Sequence, residues 1–178
     1  MPLKGDPKGV LKRLLEQHQK AILERWNSRI LDSYPADTAN FLKRERDQFA
    51  NPVGHAITSG TEALYSGLLE EAEAGTFETI LSDFIKIRAV QEFSPSQAIV
   101  FVLMLKNAAR DVLSDDINKE EIYQEWLNFE SKIDNLALLA FDIYMECREK
   151  IFTIRIKELQ KQATDWVALR KQRKENKG

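Results

Sequence analysis

The sequence contains neither glycine nor proline between Asn118 and Lys177. These two residues interrupt regular backbone structure most strongly, so their absence over so long a stretch favours helix. Apolar side chains recur through the stretch at alternating steps of four and three, at Ile122, Trp126, Phe129, Ile133, Leu136, Ala140, Tyr144, Cys147, Ile151 and Ile154. This heptad-like spacing is typical of a helix that packs against another helix along one face. It predicts one long helix, or two joined at a kink.

The earlier part of the chain shows the same helical periodicity. Period-two alternation, which is typical of strands, never extends beyond a few residues. Prolines and glycines are few, and most of them stand near proposed turns. The predicted helices cover residues 7–31, 38–49, 52–74, 77–91 and 95–113. Gly75 is expected to end the third of them and Thr76 to begin the fourth.

Capping residues mark several helix starts. Asn51 before Pro52 is a capping residue followed by a proline at the first helical position. Ser94-Pro95-Ser96-Gln97 carries the same signal, with Gln97 placed to complete a capping box. Asn118 and Glu121 have the spacing of another capping box before the long helix.

The charge balance does not fit a nucleic-acid-binding protein. The chain has 26 Lys and Arg residues against 28 Asp and Glu residues, a formal net charge of −2, whereas nucleic acid requires a strongly basic face. No stretch reaches the roughly 20 uncharged apolar residues of a membrane span, and residues 1–9 lack the apolar core of a signal peptide. With a single cysteine, Cys147, these features favour a cytoplasmic protein without disulfides.

Residue types that carry catalysis or bind metals are sparse. The two histidines, His18 and His55, do not stand at the spacing of a metal site. Glycine-rich phosphate loops and the serine-nucleophile motif are absent. Cys147 lies on the long apolar face, where a small apolar residue fits. We therefore predict no enzyme, no metal and no cofactor, and keep a haem or small-ligand carrier that uses a histidine as an alternative.

A charged cluster interrupts the apolar segment of residues 85–93. It consists of Lys86, Arg88 and Glu92. Arg88 and Glu92 stand one helical turn apart, a spacing that favours an ion pair. One interpretation is a solvated helix edge. The other is a polar anchor held for a partner or an anionic ligand.

Three stretches resemble the N-terminal domains of the RsbR and RsbRD co-antagonists, the sensory arms of the bacterial stressosome. They are IKIRAVQEFSPSQAIVFVLMLK at 85–106, WNSRILDSYP at 26–35 and FLKRERDQFANPVG at 41–54, and the runs RAVQ and FSPSQ are the most specific. The resemblance implies a globin-like helical fold without haem, usually dimeric, whose last helix leads out as a linker. In that family an attached STAS domain engages the switch kinase. Here we expect signalling through the exit helix or through another chain.

The residues and the resemblance together predict an all-α, globin-like helical bundle with a long C-terminal exit helix. A sensory domain would cover residues 1–145, and a helical extension for linkage or dimerisation would cover residues 146–178. The expected function is non-enzymatic sensing and regulation in a bacterial stress response, through contact with protein partners. The alternative from another class is a structural adaptor that recruits partners without sensing.

Two sets of residues are the candidate sites. The signal-input surface consists of Arg88, Gln91, Phe93 and Gln97. The dimer seam consists of Tyr144, Cys147, Ile151, Ile154, Leu159 and Trp166. A shift in helix packing along that seam would be the output of a homodimer. The alternative is an exit helix folded back on its own domain.

Overall fold

A computed structural model describes residues 9–45, 47–91 and 93–175, with side chains described up to residue 168. Within these ranges all of the regular structure is helical, which confirms the all-α class and the long C-terminal helix. The helices are, in chain order, α1 (Val10–Gln17), α2 (Gln19–Asp32), α3 (Ala36–Arg44), α4 (Pro52–Glu70), α5 (Ala74–Val90), α6 (Pro95–Val112) and α7 (Glu120–Glu175).

The first predicted helix is two helices that meet at His18. The backbone of His18 has φ −101° and ψ 10°, outside the helical range. Apolar residues that recur at steps of three and four through the segment are nevertheless buried, among them Leu11, Leu15, Ile22, Trp26 and Ile30. The periodicity therefore predicted the buried face correctly but not the break.

Two of the predicted caps are confirmed. The side-chain oxygen of Asn51 accepts a hydrogen bond from Gly54 N at 2.8 Å. An alanine at Gly54 would place its Cβ against the Asn51 amide, so glycine leaves room for the cap. Ser94 and Gln97 form the predicted capping box, with Ser94 N donating to Gln97 Oε1 at 3.0 Å.

Other predicted helix ends are wrong. The helix predicted over residues 38–49 is α3, which ends at Arg44. Helix α4 stops at Glu71, which adopts the left-handed conformation with φ 55°, and Gly75 lies in the first turn of α5. Glu71 also forms an ion pair with Lys132 of α7 at 2.5 Å, a tertiary contact that the local sequence does not show. Asn118 lies two residues before α7 begins and does not cap that helix. Its Nδ2 donates instead to Ser114 O at 3.1 Å.

Helix α6 lies at the centre of the bundle, between α2 and α7. Its buried face consists of Ala98, Phe101, Val102, Leu105, Ala108 and Ala109. Trp26 of α2 is fully buried, and its Nε1 donates to Phe101 O at 2.6 Å. Ion pairs join α6 to both neighbours at the surface, and they are Arg29–Asp111, Lys106–Asp134 and Arg110–Glu130.

Helix α7 is one continuous helix from Glu120 to Glu175, in agreement with the prediction of one long helix. From Ile122 to Tyr144 one face of α7 is buried against α5 and α6. Residues 152–168 are all exposed. At 1.5 Å per residue, the part from 152 to 175 extends about 36 Å from the bundle. The division into domains at residue 145 stays a prediction. None of the described helices is long and apolar enough to cross a membrane.

Candidate functional site

The four residues of the predicted input surface meet where α5 passes into α6. Arg88 lies in the last turn of α5, Gln91 follows its end, and Gln97 lies in the first turn of α6. Arg88 Nη1 donates to Gln97 O at 2.8 Å, and Phe93 N donates to Arg88 O at 3.3 Å. We call this region, residues 88–91 and 93–97, the α5–α6 junction.

Arg88 is buried in an aromatic cage and is not part of a solvated helix edge. Its side chain is among the largest fully buried ones, with 1% of the residue exposed. Its Cζ lies 5.0–5.5 Å from the centres of four aromatic rings, those of Tyr34, Phe84, Phe93 and Phe101. Rings at this distance stabilise the cation electrostatically. Glu92, its partner in the predicted ion pair, lies outside the described residues.

The guanidinium of Arg88 keeps two donors without a partner. Among the described residues, no acceptor hydrogen-bonds Nε or Nη2, and no carboxylate forms an ion pair with the side chain. Burial lowers the pKa of Arg88, while Tyr34 opposes that shift. An unpaired buried donor costs about 1–3 kcal/mol, and a charged one costs more. The two unpaired donors therefore reduce what the ring contacts contribute to stability, and a buried residue with a shifted pKa is a candidate for a functional site.

A groove of about 760 Å³ lies beside this cage. Its lining residues are Ser33, Tyr34, Pro35, Thr38, Phe41, Leu42, Val53, Gln91, Phe93 and Gln97. The rings of Tyr34 and Phe93 meet edge to face, with centres 5.5 Å apart. Both rings line the groove and both contact Arg88, so one aromatic layer separates the guanidinium from the groove.

The α5–α6 junction is bound directly to α7. The Tyr144 hydroxyl donates to Phe93 O, and Arg148 Nη1 donates to Ala89 O at 3.4 Å. Tyr144 is buried in the bundle, whereas the exposed part of α7 begins at Phe152. The junction therefore contacts α7 within about two turns of the point where that helix leaves the bundle.

The residues of the predicted dimer seam do not share one exposed surface. Tyr144 is 2% exposed, and Cys147 and Ile151 pack partly buried against the core. Leu159 and Trp166 are exposed. Tyr144, Cys147 and Ile151 therefore pack against the core of their own chain.

A second apolar stripe on α7 is exposed, and only its Leu159 and Trp166 were predicted from the sequence, as part of the dimer seam. It consists of Leu138, Phe141, Met145, Phe152, Ile156, Leu159 and Trp166. At about 100° per residue these side chains fall within a sector of roughly 100°, which makes one continuous strip. The change of register between Ile154 and Ile156 was the signal, because it marks two stripes side by side. We call this set of residues the outer stripe.

The two histidines lie apart from the α5–α6 junction. His18 is partly buried at the boundary of α1 and α2, and His55 is exposed in the first turns of α4. Across residues 9–45, 47–91 and 93–168, no group of three or more His, Cys, Asp or Glu side chains is arranged to hold a metal ion.

Comparison with known proteins gives one family match. A family model described as the RsbT co-antagonist protein RsbRD N-terminal domain matches residues 20–159. An uncharacterized protein of Archaeoglobus fulgidus is 28% identical over 141 residues, which cover 79% of this chain and 83% of the relative. No solved structure matches the chain, so the globin-like arrangement of the helices stays a prediction.

Proposed function

The chain belongs to the family of RsbT co-antagonist RsbRD N-terminal domains, and from this premise we propose that it is a non-enzymatic sensory and regulatory domain. It receives a signal at the α5–α6 junction and passes it to α7 within a homodimer. The output is a change in contact with a protein partner of a cytoplasmic stress-signalling assembly of the stressosome type.

One observation carries this proposal, namely the hydrogen bond from Tyr144 of α7 to Phe93 of the junction. Phe93 lines the groove and contacts Arg88. A change at the cage therefore moves the residue whose carbonyl accepts the hydrogen bond from Tyr144 of α7. Arg148 adds a second contact one turn further along the same helix. Groove and exit helix are therefore in direct contact.

The outer stripe supports dimerisation. Large exposed apolar patches mark interaction surfaces in proteins of this kind. Helix–helix pairing needs an apolar strip along one face, and the outer stripe runs from the bundle to the far part of α7. A second copy offers the same strip, so two parallel or antiparallel α7 helices would cover each other. Two packings that differ by a few kcal/mol would act as the switch.

The oligomeric state tests this proposal first. We expect the wild-type chain to sediment as a dimer at micromolar concentration. Leu159→Glu places a charge in the outer stripe and should raise the dimer dissociation constant by about tenfold or more. Thr164→Glu, an exposed residue on another face of α7, adds the same charge and should leave the constant unchanged. A wild-type chain that stays monomeric at high concentration would contradict the proposal.

A second experiment tests the connection between junction and helix. Spin labels at Gln160→Cys, in a Cys147→Ala background, report the spacing of the two α7 helices in the dimer. Tyr144→Phe removes the hydroxyl that bonds Phe93 O, and it should shift or broaden the distance distribution. Tyr123→Phe, at an exposed tyrosine of the same helix, is the control. An identical distribution in Tyr144→Phe would favour the adaptor alternative, in which the chain recruits partners without sensing.

A further inference from the structure

We infer that Arg88 is the anchor of a ligand site that takes a monocarboxylate with an apolar body, which enters through the adjacent groove. This inference rests on the proposed function and deepens it, because it assigns a ligand class to the input surface. Three features of the α5–α6 junction carry it: the free donors of Arg88, the lining of the groove, and the ring pair between them.

The free donors of Arg88 match a carboxylate in geometry. Nη1 is occupied by Gln97 O, and the two atoms without a described partner are Nε and Nη2. These two nitrogens lie on one edge of the guanidinium and present parallel N–H bonds. The two oxygens of a carboxylate accept such a pair together, which is the strongest way to satisfy an arginine. The cage supplies rings for the cation, and the Tyr34 hydroxyl lies close enough to raise the pKa of Arg88. No described acceptor forms a hydrogen bond of ordinary geometry with this edge.

The lining of the groove selects the rest of the ligand. Its walls include Pro35, Phe41, Leu42, Val53 and Phe93, all of them apolar. Contact with these walls favours a ligand with an apolar body and disfavours a second charge on it. Serine, threonine, tyrosine and glutamine side chains also line the groove, and no lysine or arginine does so among residues 9–45, 47–91 and 93–168. A ligand with one negative charge and an aliphatic or aromatic body fits this arrangement.

The Tyr34–Phe93 ring pair must separate for the carboxylate to reach Arg88. Arg88 is fully buried beneath these rings, so entry of a ligand moves Phe93. Phe93 O is the acceptor of the Tyr144 hydroxyl. Occupancy of the site therefore acts on α7 through that hydrogen bond.

Calorimetry with hexanoate as the probe tests the site, using the whole 178-residue chain. We expect saturable binding of hexanoate that Arg88→Met weakens by about tenfold or more, since a charge-assisted pair is lost. Lys86→Met removes an exposed cation two residues away and should leave binding unchanged. Hexanol, which has the same body without the charge, should bind at least about tenfold more weakly than hexanoate.

Arg88→Lys keeps the charge but lacks the two-donor edge, and it guards against a folding failure of Arg88→Met. Helical circular dichroism and the melting temperature confirm that both variants fold. The inference predicts weaker hexanoate binding in Arg88→Lys as well. Equal binding of hexanoate by wild type and both variants would overturn it.

Two further outcomes would also overturn the inference. Inorganic phosphate that binds more tightly than hexanoate would make the site a general anion site. Hexanoate binding that arises in Glu92→Gln but not in the wild type would mean that the Glu92 carboxylate occupies the binding edge of Arg88.

The test of hexanoate binding is independent of the test of dimerisation. Loss of the dimer in Leu159→Glu with binding intact would leave this site standing, and a stable dimer without hexanoate binding would leave the proposed function standing.

Discussion

At the scale of single residues, Asn51 joins three segments of backbone through one amide. Its oxygen caps α4 at Gly54, while its Nδ2 donates to Leu42 O at 2.9 Å and Glu45 O at 2.8 Å. The Asn-Pro pair in the sequence predicted the cap. It did not predict the two bonds from Nδ2, because these depend on where α3 ends.

Asn51→Ala should lower the free energy of unfolding by about 2 kcal/mol, because it removes a cap and two hydrogen bonds to backbone carbonyls. Asn118→Ala is the matched control. Asn118 is exposed and does not cap α7, so its replacement should change stability by less than about 0.5 kcal/mol. Urea unfolding followed by circular dichroism measures both. Equal losses in the two variants would contradict this account of Asn51.

Arg88 shows what single-sequence reasoning misses at this scale. Its neighbours Lys86 and Glu92 are charged, so the local sequence fits a solvated edge equally well. The residues that bury Arg88 include Tyr34, which follows α2, and Phe101 of α6. Burial of a charge by distant aromatic rings is a tertiary effect, and no local pattern reports it.

At the scale of helices, an ion-pair cluster fastens α2 to α6. Asp111 Oδ2 accepts from Arg29 at 2.6 Å and from Arg25 at 3.3 Å. The bond from Arg29 is the main reason that the pKa of Asp111 is lowered, and Arg25 contributes further. A carboxylate with a lowered pKa stabilises the folded state above its unfolded pKa, and this stabilisation disappears as pH falls through the folded pKa.

Asp111→Asn should therefore destabilise the protein at neutral pH by about 0.5 kcal/mol, a small value because the cluster is partly exposed and screened by solvent. The difference from wild type should shrink on acidification and vanish once the pH lies below the lowered pKa of Asp111 in the folded protein. Asp142→Asn, at an exposed carboxylate of α7 with no ion pair to a described residue, should show no such dependence. Urea unfolding across this pH range makes the measurement. A pH-independent effect of Asp111→Asn would exclude the ion-pair explanation.

The two apolar faces of α7 differ in what they stabilise. Ile133 is fully buried against the bundle, whereas Leu138 of the outer stripe is 66% exposed. Ile133→Ala should lower the free energy of unfolding by about 2–4 kcal/mol. Leu138→Ala should change it by less than about 0.5 kcal/mol in dilute, monomeric protein. Urea unfolding at low protein concentration separates the two, and a large loss in Leu138→Ala would place that residue in the core instead.

The sequence predicted the buried face of α7 residue by residue, from Ile122 to Tyr144, because a 3.6-residue period directly encodes which side meets a core. It did not predict the outer stripe. The heptad pattern identifies one apolar face only. Leu138 and Met145 lie outside that face, although they project from the same side of α7 as Phe152 and Leu159. Which of two stripes the bundle covers depends on how the other helices dock.

At the scale of the whole molecule, the packed bundle is extended by the end of α7, whose residues 152–168 are all exposed. We call residues 152–175 the bare part of α7. Helical propensity alone sustains an isolated helix only marginally, so the dimer that we propose would also stabilise the part of α7 beyond the bundle. The all-helical class followed from the sequence, because no segment carries a strand period. The order in which the helices pack does not follow from periodicity, which reports faces but not neighbours.

Limited digestion with trypsin should first cut the bare part of α7, at exposed residues such as Lys157 and Lys161. The initial rate should fall as protein concentration rises, because pairing covers and stabilises the helix. Leu159→Glu should abolish that protection, while Thr164→Glu should retain it. Mass spectrometry of the early fragments identifies the cuts. First cuts within α2 or α6 would contradict this view of the molecule.

Because α7 is one continuous helix, it fixes the angle about its axis between side chains in the bundle and side chains at its far end, which we call the tip. Each residue turns the backbone by about 100°, so the direction that Trp166 faces is set by the number of residues after Tyr144. Inserting seven residues into the bare segment changes that direction by about 20°, whereas inserting two turns it by roughly 200°. The tip can therefore be lengthened in steps of seven and keep its orientation, but a two-residue insertion directs the same side chains to the opposite side.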